Sequence, residues 1–324
     1  MTATAIRVLP SPELRVVADG LRFPEGPVAL ADGTVLVVEI AGQALTRIQP
    51  DGRKQVVAEL EGGPNGAALG PDDWAYVCNS GGWRYRREVN GWQRPTAQAT
   101  RAGWIERVNL RTGKVQRLYE RCGRHALRAP NDLAFDRCGG FYFTDHGKRR
   151  ARSHVLGSLY YARADGSDVV EVVAGMLTPN GVGLSADGGT VYVAETLPRR
   201  LWAFALNGPG EIRREPWPSP NGGRLVAGLP GAHYPDSLAI DAAGNVCLAS
   251  FNQCGIWEIT PDGSSCIFRP LQDFYATNIA FGGRDLRTAF VTLSSTGRLV
   301  SFIWPRPGQS LPYVNSPVAE RDNA

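Results

Sequence analysis

The sequence has few of the residues on which several common kinds of site depend. It contains four histidines and six cysteines in 324 residues, and no two cysteines form a Cys-x-x-Cys pair, so a zinc site of Cys and His ligands is not expected. No Gly-x-Ser-x-Gly motif occurs, which removes the main sequence support for a serine-triad hydrolase. We expect the scattered cysteines to be reduced thiols of a cytoplasmic protein.

Long apolar runs and a strong net charge are also missing. No apolar run approaches the ~20 residues that a membrane helix needs, and the first residues lack the apolar core of a secretory signal. The formal net charge is only +4, with acidic and basic residues interspersed, so the chain has no basic footprint for nucleic acid. We therefore expect neither a membrane nor a nucleic acid as a partner, and the oligomeric state stays open.

Glycine and proline, in contrast, are abundant, at 38 and 23 residues. Such a composition argues against a helical bundle and suits many short strands joined by tight turns. A short motif recurs six times, each copy ending in a turn: FPEGPVALADG from Phe23, GPNGAALGPDD from Gly63, APNDLAFDRCG from Ala129, TPNGVGLSADG from Thr178, YPDSLAIDAAG from Tyr234 and YATNIAFGGRD from Tyr275. The anchor residues 24, 64, 130, 179, 235 and 276 are 40, 66, 49, 56 and 41 residues apart. The shorter spacings match one four-stranded propeller blade of roughly 40–50 residues.

The repeats predict an all-β fold, a six-bladed β-propeller with four antiparallel strands per blade, as a single domain over residues 1–324. The sixth copy lacks a fourth strand, and the N-terminal segment Leu14–Leu21 resembles the fourth strands of the other blades. We predict that Leu14–Ala18 pairs with Leu299–Ile303 and closes the ring, which leaves only short, protected sheet edges. A two-sheet sandwich, the alternative, does not explain six copies in phase.

The residue after each anchor is polar in every copy. Because the innermost strands of a propeller line its channel, the shared phase places these side chains in one ring at one mouth: Glu25, Asn65, Asn131, Asn180, Asp236 and Thr277. Carboxylate and amide oxygens are the ligands of hard divalent cations. The ring predicts one divalent metal ion, Ca²⁺ first, with Zn²⁺, Mn²⁺ and Mg²⁺ as alternatives.

Other polar residues flank this mouth. The second strands end in Glu39, Asn79, Asp145, Glu195 and Ser250. These side chains either orient the ligands, line a substrate pocket or are solvated strand ends. His146 and His233 lie near the same mouth and either contact substrate, shuttle a proton or are ordinary loop residues.

The motifs resemble those of the senescence marker protein 30/gluconolactonase/regucalcin group of six-bladed propellers, over Leu21 to Ile303. PEGP at Pro24, APNDLAFD at Ala129, TPNGVGLS at Thr178 and YPDSLAID at Tyr234 carry the resemblance. It implies that Glu25, Asn180 and Asp236 hold one divalent metal and that Asn131 contacts substrate or a metal-bound water. Ser237 stands where the family commonly has glycine, which leaves the ligands intact.

The resemblance implies a metal-dependent hydrolase that opens a lactone ring by attack of an activated water. Asp236 is the first candidate for the general base and Asp132 the second. An organophosphate-type metal hydrolase and a non-catalytic calcium-binding propeller are the main alternatives, and a strictosidine-synthase-like condensing enzyme is a weaker one.

Three insertions interrupt the repeat, at residues 81–103, 146–157 and 207–223. The first is basic and aromatic and contains Trp83, Arg84 and Tyr85. Either it is a solvated loop or it covers the metal side of the ring and selects substrate. In the second case we expect Trp83, Arg84 and Tyr85 to favour a small lactone with an apolar or acidic substituent. Asn65, His146 and His233 are the other residues that we expect to help bind the lactone.

Overall fold

A computed structural model of the chain describes residues 5–82, 85–88, 91–93, 101–149 and 152–315. Within these ranges the regular structure is β-strand apart from one 3-10 helix, Pro71–Asp73. Two strands precede the first repeat, β1 (Ala5–Val8) and β2 (Arg15–Ala18).

Six antiparallel sheets follow, and each repeat supplies the innermost strand of one sheet. Blade one contains β3 (Pro24–Ala29), β4 (Val35–Glu39), β5 (Ala44–Ile48) and β6 (Lys54–Glu59). Blade two contains β7 (Pro64–Leu69), β8 (Trp74–Asn79), the inserted hairpin β9 (Arg86–Glu88) and β10 (Gly91–Gln93), then β11 (Trp104–Asn109) and β12 (Val115–Tyr119). The short hairpin of β13 (Arg121–Cys122) and β14 (His125–Ala126) leads to blade three.

Blade three contains β15 (Pro130–Phe135), β16 (Gly140–Asp145), the inserted hairpin β17 (Lys148–Arg149) and β18 (His154–Val155), then β19 (Gly157–Arg163) and β20 (Val169–Met176). Blade four contains β21 (Pro179–Leu184), β22 (Thr190–Glu195), β23 (Arg200–Gly208), β24 (Glu211–Arg213) and β25 (Arg224–Gly228). Blade five contains β26 (His233–Ile240), β27 (Val246–Asn252), β28 (Gly255–Ile259) and β29 (Ser265–Pro270). Blade six contains β30 (Ala276–Gly282), β31 (Thr288–Leu293) and β32 (Arg298–Ile303).

The ring closes through the N-terminal strand. β2 pairs antiparallel with β32, with Val16 opposite Val300 and Ala18 opposite Leu299, and the innermost strands β3 and β30 of the first and last blades lie side by side. The predicted six-bladed propeller and its closure are confirmed. β1 was not foreseen: it adds to blade five as a parallel strand beside β29, with Val8 opposite Phe268.

Apolar side chains fill the spaces between neighbouring blades. Trp257 and Leu248 of blade five, for example, pack with Leu201 of blade four and are fully buried. Burial of this apolar surface stabilises the ring at about 25 cal/mol per Å². The stability of the fold therefore comes from the blade faces, and the channel mouth can carry polar residues.

Candidate functional site

Every innermost strand carries a β-bulge or register shift just after its anchor residue. In blade three the shift lies between Pro130 and Leu133, and the other five strands have one at the corresponding place. A bulge bends the strand and re-aims its side chains. The six polar residues predicted as a ring line one cavity of about 220 Å³: Glu25, Asn65, Asn131, Asn180, Asp236 and Thr277.

Close approach of adjacent innermost strands explains the glycines of the repeat. A Cβ atom on Gly66 would lie 2.5 Å from Asp132 Oδ1 and 2.6 Å from the Asn131 carbonyl oxygen. A Cβ on Gly181 would lie 2.6 Å from the Asp236 carbonyl oxygen. Glycine is therefore required after Pro-Asn where the blades converge, because the Cβ atom of any other residue would clash with the neighbouring innermost strand.

The floor of the cavity combines buried carboxylates with buried amides. Glu25, only 2% exposed, accepts hydrogen bonds at Oε2 from Asn278 Nδ2 (2.8 Å) and from the Gly26 amide. Asn180 Nδ2 donates to Thr196 Oγ1 at 3.1 Å, which leaves its Oδ1 available. Among the described residues, neither Asn180 Oδ1 nor Asn131 Oδ1 has a hydrogen-bond partner, although both are buried. Orphaned buried oxygens are rare and call for an explanation.

The concentration of negative charge at the cavity floor also favours a bound cation. Burial, and then the charges of Asp236 and Asp132, raise the pKa of Glu25 well above its ordinary value. A cluster of this kind favours a cation or a proton in its midst. In the described part of the chain, no three His, Cys, Asp or Glu side chains form a metal-binding group. The donor set here is instead two carboxylates with amide oxygens, which fits a divalent cation such as Ca²⁺.

Asp132, the second candidate base, does not line this cavity. It lines a lower cavity of about 120 Å³, with largely apolar walls, between the innermost strands and the C-terminal residues 309–314. The Leu133 amide donates to its Oδ1 at 2.9 Å, and burial raises the pKa of Asp132 to about 7. The carboxyl thus lies behind the ring and acts on Glu25 through its charge.

The first insertion reaches over the cavity. Tyr85 lines it, with its ring centroid 4.6 Å from that of Phe23. Farther along, the Trp92 amide donates to the Ser295 carbonyl oxygen of blade six at 2.8 Å. The insertion therefore leaves blade two and contacts blades one and six. Trp83 and Arg84, also predicted to bind substrate, lie outside the described residues.

The two candidate histidines, His146 and His233, lie in different surroundings. His146 lines the cavity together with Arg149, both from the second insertion. His233 is packed inside blade five, where its ring meets Trp257 and Phe268 edge-on at centroid distances of 4.9 and 4.5 Å. Burial lowers the pKa of His233. His233 is not among the residues that line the cavity, because three residues of extended strand, about 10 Å, separate it from Asp236.

The residues that end the second strands have a structural role. Glu39 accepts the Arg22 amide, Asp145 the Arg128 and Ala129 amides, and Glu195 the Leu177 amide, at 2.6–2.8 Å. Each carboxylate holds the segment that enters the innermost strand of its own blade. All are buried and none of them lines the cavity, so of the three alternatives neither solvated strand ends nor a substrate-pocket lining describes them.

Several residues at or beneath the cavity were not anticipated from the sequence. Asn278 lines the lower cavity beside Asp132 and donates to Glu25. It stands at the position that Asp132 has in its repeat, and this shared phase could have identified it. Phe23, Phe251, Tyr275 and Arg149 line the walls. Phe23 and Tyr275 stand just before an anchor, and Phe251 lies near the end of a second strand. At these places the sequence pattern indicates only an ordinary turn or strand.

Comparison with known proteins agrees with this geometry. The family model described as the SMP-30/Gluconolactonase/LRE-like region matches residues 23–295. The chain belongs to this family. Lactonase drp35 of Staphylococcus aureus is 33% identical over 123 residues, which are 38% of this chain and 36% of that protein. The match therefore spans little more than a third of the length of this curated relative.

Two solved structures share the fold of this family member over nearly its whole length. A gluconolactonase from Xanthomonas campestris superposes with a TM-score of 0.70 at 23% identity, covering 91% of this chain and 90% of that one. Regucalcin from Agrobacterium tumefaciens, a calcium-binding protein, has a TM-score of 0.72 at 19% identity, covering 96% and 99%. At these identities the likeness establishes the propeller fold.

No helix within the described ranges is long and apolar enough to cross a membrane.

Proposed function

We propose that this chain is a divalent-metal-dependent lactonase. The observation that carries the proposal is the cavity floor, where Glu25 and Asp236 lie with two buried amide oxygens, of Asn131 and Asn180, that have no partner among the described residues. The 33% identity to a lactonase and the family's gluconolactonase members support the reaction class. The calcium-binding protein among the structural neighbours supports a cation.

Glu25, Asn180 and Asp236 are the proposed metal-holding residues. When bound, a divalent cation supplies positive charge that neutralises the two carboxylates and polarises a lactone carbonyl. Ca²⁺ is the proposed ion because every donor is an oxygen. Zn²⁺, Mn²⁺ and Mg²⁺ are the alternatives, and each can be added back in place of Ca²⁺ in the assay below.

Asp236 is the proposed general base. Unlike Asp132, it lines the cavity in which a lactone would lie, and a base must be within reach of the proton that it takes. Asp236 takes a proton from water as the water oxygen bonds to the carbonyl carbon. The ring C–O bond then breaks, the ring oxygen receives the proton, and a hydroxy acid leaves. Asn65 and Asn131, which line the same cavity, orient the lactone.

The test is lactone hydrolysis measured by proton release, on glucono-δ-lactone and on a simple aliphatic δ-lactone. We expect a chelator to abolish the rate and added Ca²⁺ to restore it. Glu25→Gln and Asp236→Asn should each lower kcat/KM by about 10³-fold or more. Glu211→Gln, an exposed carboxylate of β24 outside the cavity, is the matched control and should match the wild type.

Hydrolysis that persists at full rate in chelator, or in the Asp236→Asn variant, would contradict the proposal. A phosphotriester in the same assay tests the organophosphate-type alternative. Calcium binding with no turnover of either class of substrate would favour the non-catalytic alternative.

A further inference from the structure

The walls above the polar floor of the cavity are apolar and largely aromatic on one side. Phe23, Ile40, Tyr85, Leu197, Phe251 and Tyr275 line it. The aromatic rings form a continuous series. Phe23 lies 5.5 Å from Tyr275, which lies 5.3 Å from Phe251, centroid to centroid. Phe251 in turn stacks on Tyr234 at 5.4 Å and 18°.

This aromatic wall is held firmly. Phe23 is 4% exposed and adopts a φ of +58°, an uncommon conformation for a bulky residue. Its backbone carbonyl accepts the Ile40 amide at 3.0 Å. Phe251 is fixed by the pairing of β26 with β27, opposite Tyr234. A rigid, flat apolar surface favours a flat apolar ligand, since aromatic rings pair in offset or tilted geometry at these distances.

The wall from the second insertion is cationic. Arg149 lines the cavity and is exposed at its rim, and no ion pair of the described residues includes it. The neighbouring Lys148 is directed away, to the carbonyl oxygens of Ser80 and Arg101. A guanidinium suits a carboxylate, which it can hold with two hydrogen bonds.

Beyond the polar ring, His146 and Arg149, the polar groups that line the cavity are few: Thr178, Thr196 and the hydroxyl groups of Tyr85 and Tyr275. The several hydroxyl groups of a sugar lactone would face aromatic carbon on the other side, and a buried hydroxyl without a partner weakens binding by roughly tenfold. At about 220 Å³ the cavity is smaller than the ~300–1,000 Å³ of sites for drug-sized ligands. It suits a compound of one or two rings.

We propose that the preferred substrate is a small lactone that carries a flat apolar ring against Phe23, Phe251 and Tyr275 and a carboxylate at Arg149. Arg84, which the sequence predicts to bind substrate, lies outside the described residues; among the described residues, Arg149 of blade three lines the cavity. This inference rests on the proposed lactone hydrolysis.

Three substrates test it: a benzo-fused δ-lactone, the same lactone with a carboxylate on its benzene ring, and glucono-δ-lactone. With the wild-type protein in Ca²⁺, we expect kcat/KM to be highest for the carboxylated lactone and lowest for the sugar lactone. Arg149→Gln should lower kcat/KM about five- to tenfold for the carboxylated lactone and less than twofold for the plain one. Added salt should weaken the effect.

Two further variants complete the design. Phe251→Ala should lower kcat/KM at least tenfold for both benzo-fused lactones and leave the sugar lactone nearly unchanged. Arg152→Gln removes the same charge from the same insertion, outside the cavity lining, and should have no effect. A higher kcat/KM for glucono-δ-lactone than for both benzo-fused lactones, or equal losses for both in Arg149→Gln, would overturn the inference and leave lactone hydrolysis standing.

A binding measurement distinguishes the proposed lactone hydrolysis from the proposed ligand class. A chroman carboxylate, which has the same rings but no ester, should bind the wild-type protein and bind Arg149→Gln about five- to tenfold more weakly by calorimetry. If it binds in this way while no lactone is hydrolysed, the proposed function is wrong and the ligand class is right. If it does not bind, the ligand class is wrong.

Discussion

Replacement of Glu25 by glutamine should stabilise the metal-free protein while it destroys the proposed metal site. Burial and the charges of Asp236 and Asp132 raise the pKa of Glu25 well above 4.5, its ordinary value. In the unfolded chain the carboxyl ionises freely, so the folded state loses stability as the pH rises above 4.5. Glutamine carries no charge, and its amide oxygen can still accept the hydrogen bond from Asn278.

The size of the effect has an upper limit. At pH 7.5 the carboxyl is three pH units above 4.5, and a buried carboxyl can always take up a proton, so the cost cannot exceed about 4 kcal/mol at 1.36 kcal/mol per unit. For a chain of this length 1 kcal/mol corresponds to about 2 °C in Tm. Glu25→Gln should therefore raise the Tm in chelator by a few degrees and at most by about 8 °C.

Calcium should reverse the order of stability. Binding to the native state alone stabilises it by about 2.7 kcal/mol when the ion is at 100 times its Kd, so the wild type should gain about 5 °C and Glu25→Gln almost nothing. Scanning calorimetry in chelator and in Ca²⁺, at pH 7.5 and pH 5, measures all four cases. The gain in chelator should shrink at pH 5, because less of the penalty on the carboxyl has developed. A variant that is less stable than the wild type in chelator at pH 7.5 would refute the reasoning.

Three further changes have expected outcomes. Deletion through Asp19 removes β1 and β2 and should make the protein aggregate, since it uncovers the outer edges of blades five and six; size-exclusion chromatography checks this, and a soluble, fully active truncation would contradict it. Tyr85→Ala should raise KM for apolar lactones several-fold with calcium affinity unchanged, which steady-state kinetics and calorimetry measure, and an altered calcium Kd with constant KM would argue against a substrate contact. Arg306→Met leaves the buried Asp241 and Glu258 with fewer partners and should lower the free energy of unfolding by about 2–3 kcal/mol in urea melts; an unchanged midpoint would show that these pairs contribute nothing.

Much of the fold and of the candidate site could be predicted from the phase of the repeat. Six in-phase copies predicted the blades, the closing strand and the ring of polar side chains, because a residue at the same position of each innermost strand must face the same channel. What phase alone could not predict is the bulge that follows each anchor. The bulge decides that Asn131 lines the upper cavity while its neighbour Asp132 lies behind the ring.

The remaining differences concern contacts between segments that are distant in sequence. Glu39, Asp145 and Glu195 end their strands as turn residues would, and only the fold shows the backbone amides that they accept. The aromatic wall likewise assembles from blades one, two, five and six, so no single stretch of sequence contains its pattern.

We propose that the ring holds one divalent cation on which lactone hydrolysis depends. The most direct test is to titrate metal-free protein with Ca²⁺ and to follow bound calcium and the rate of lactone hydrolysis in the same samples. We expect one bound ion per chain and a rate that rises in proportion to occupancy. Full activity with no metal bound, or an ion bound equally well by Asp236→Asn, would contradict it.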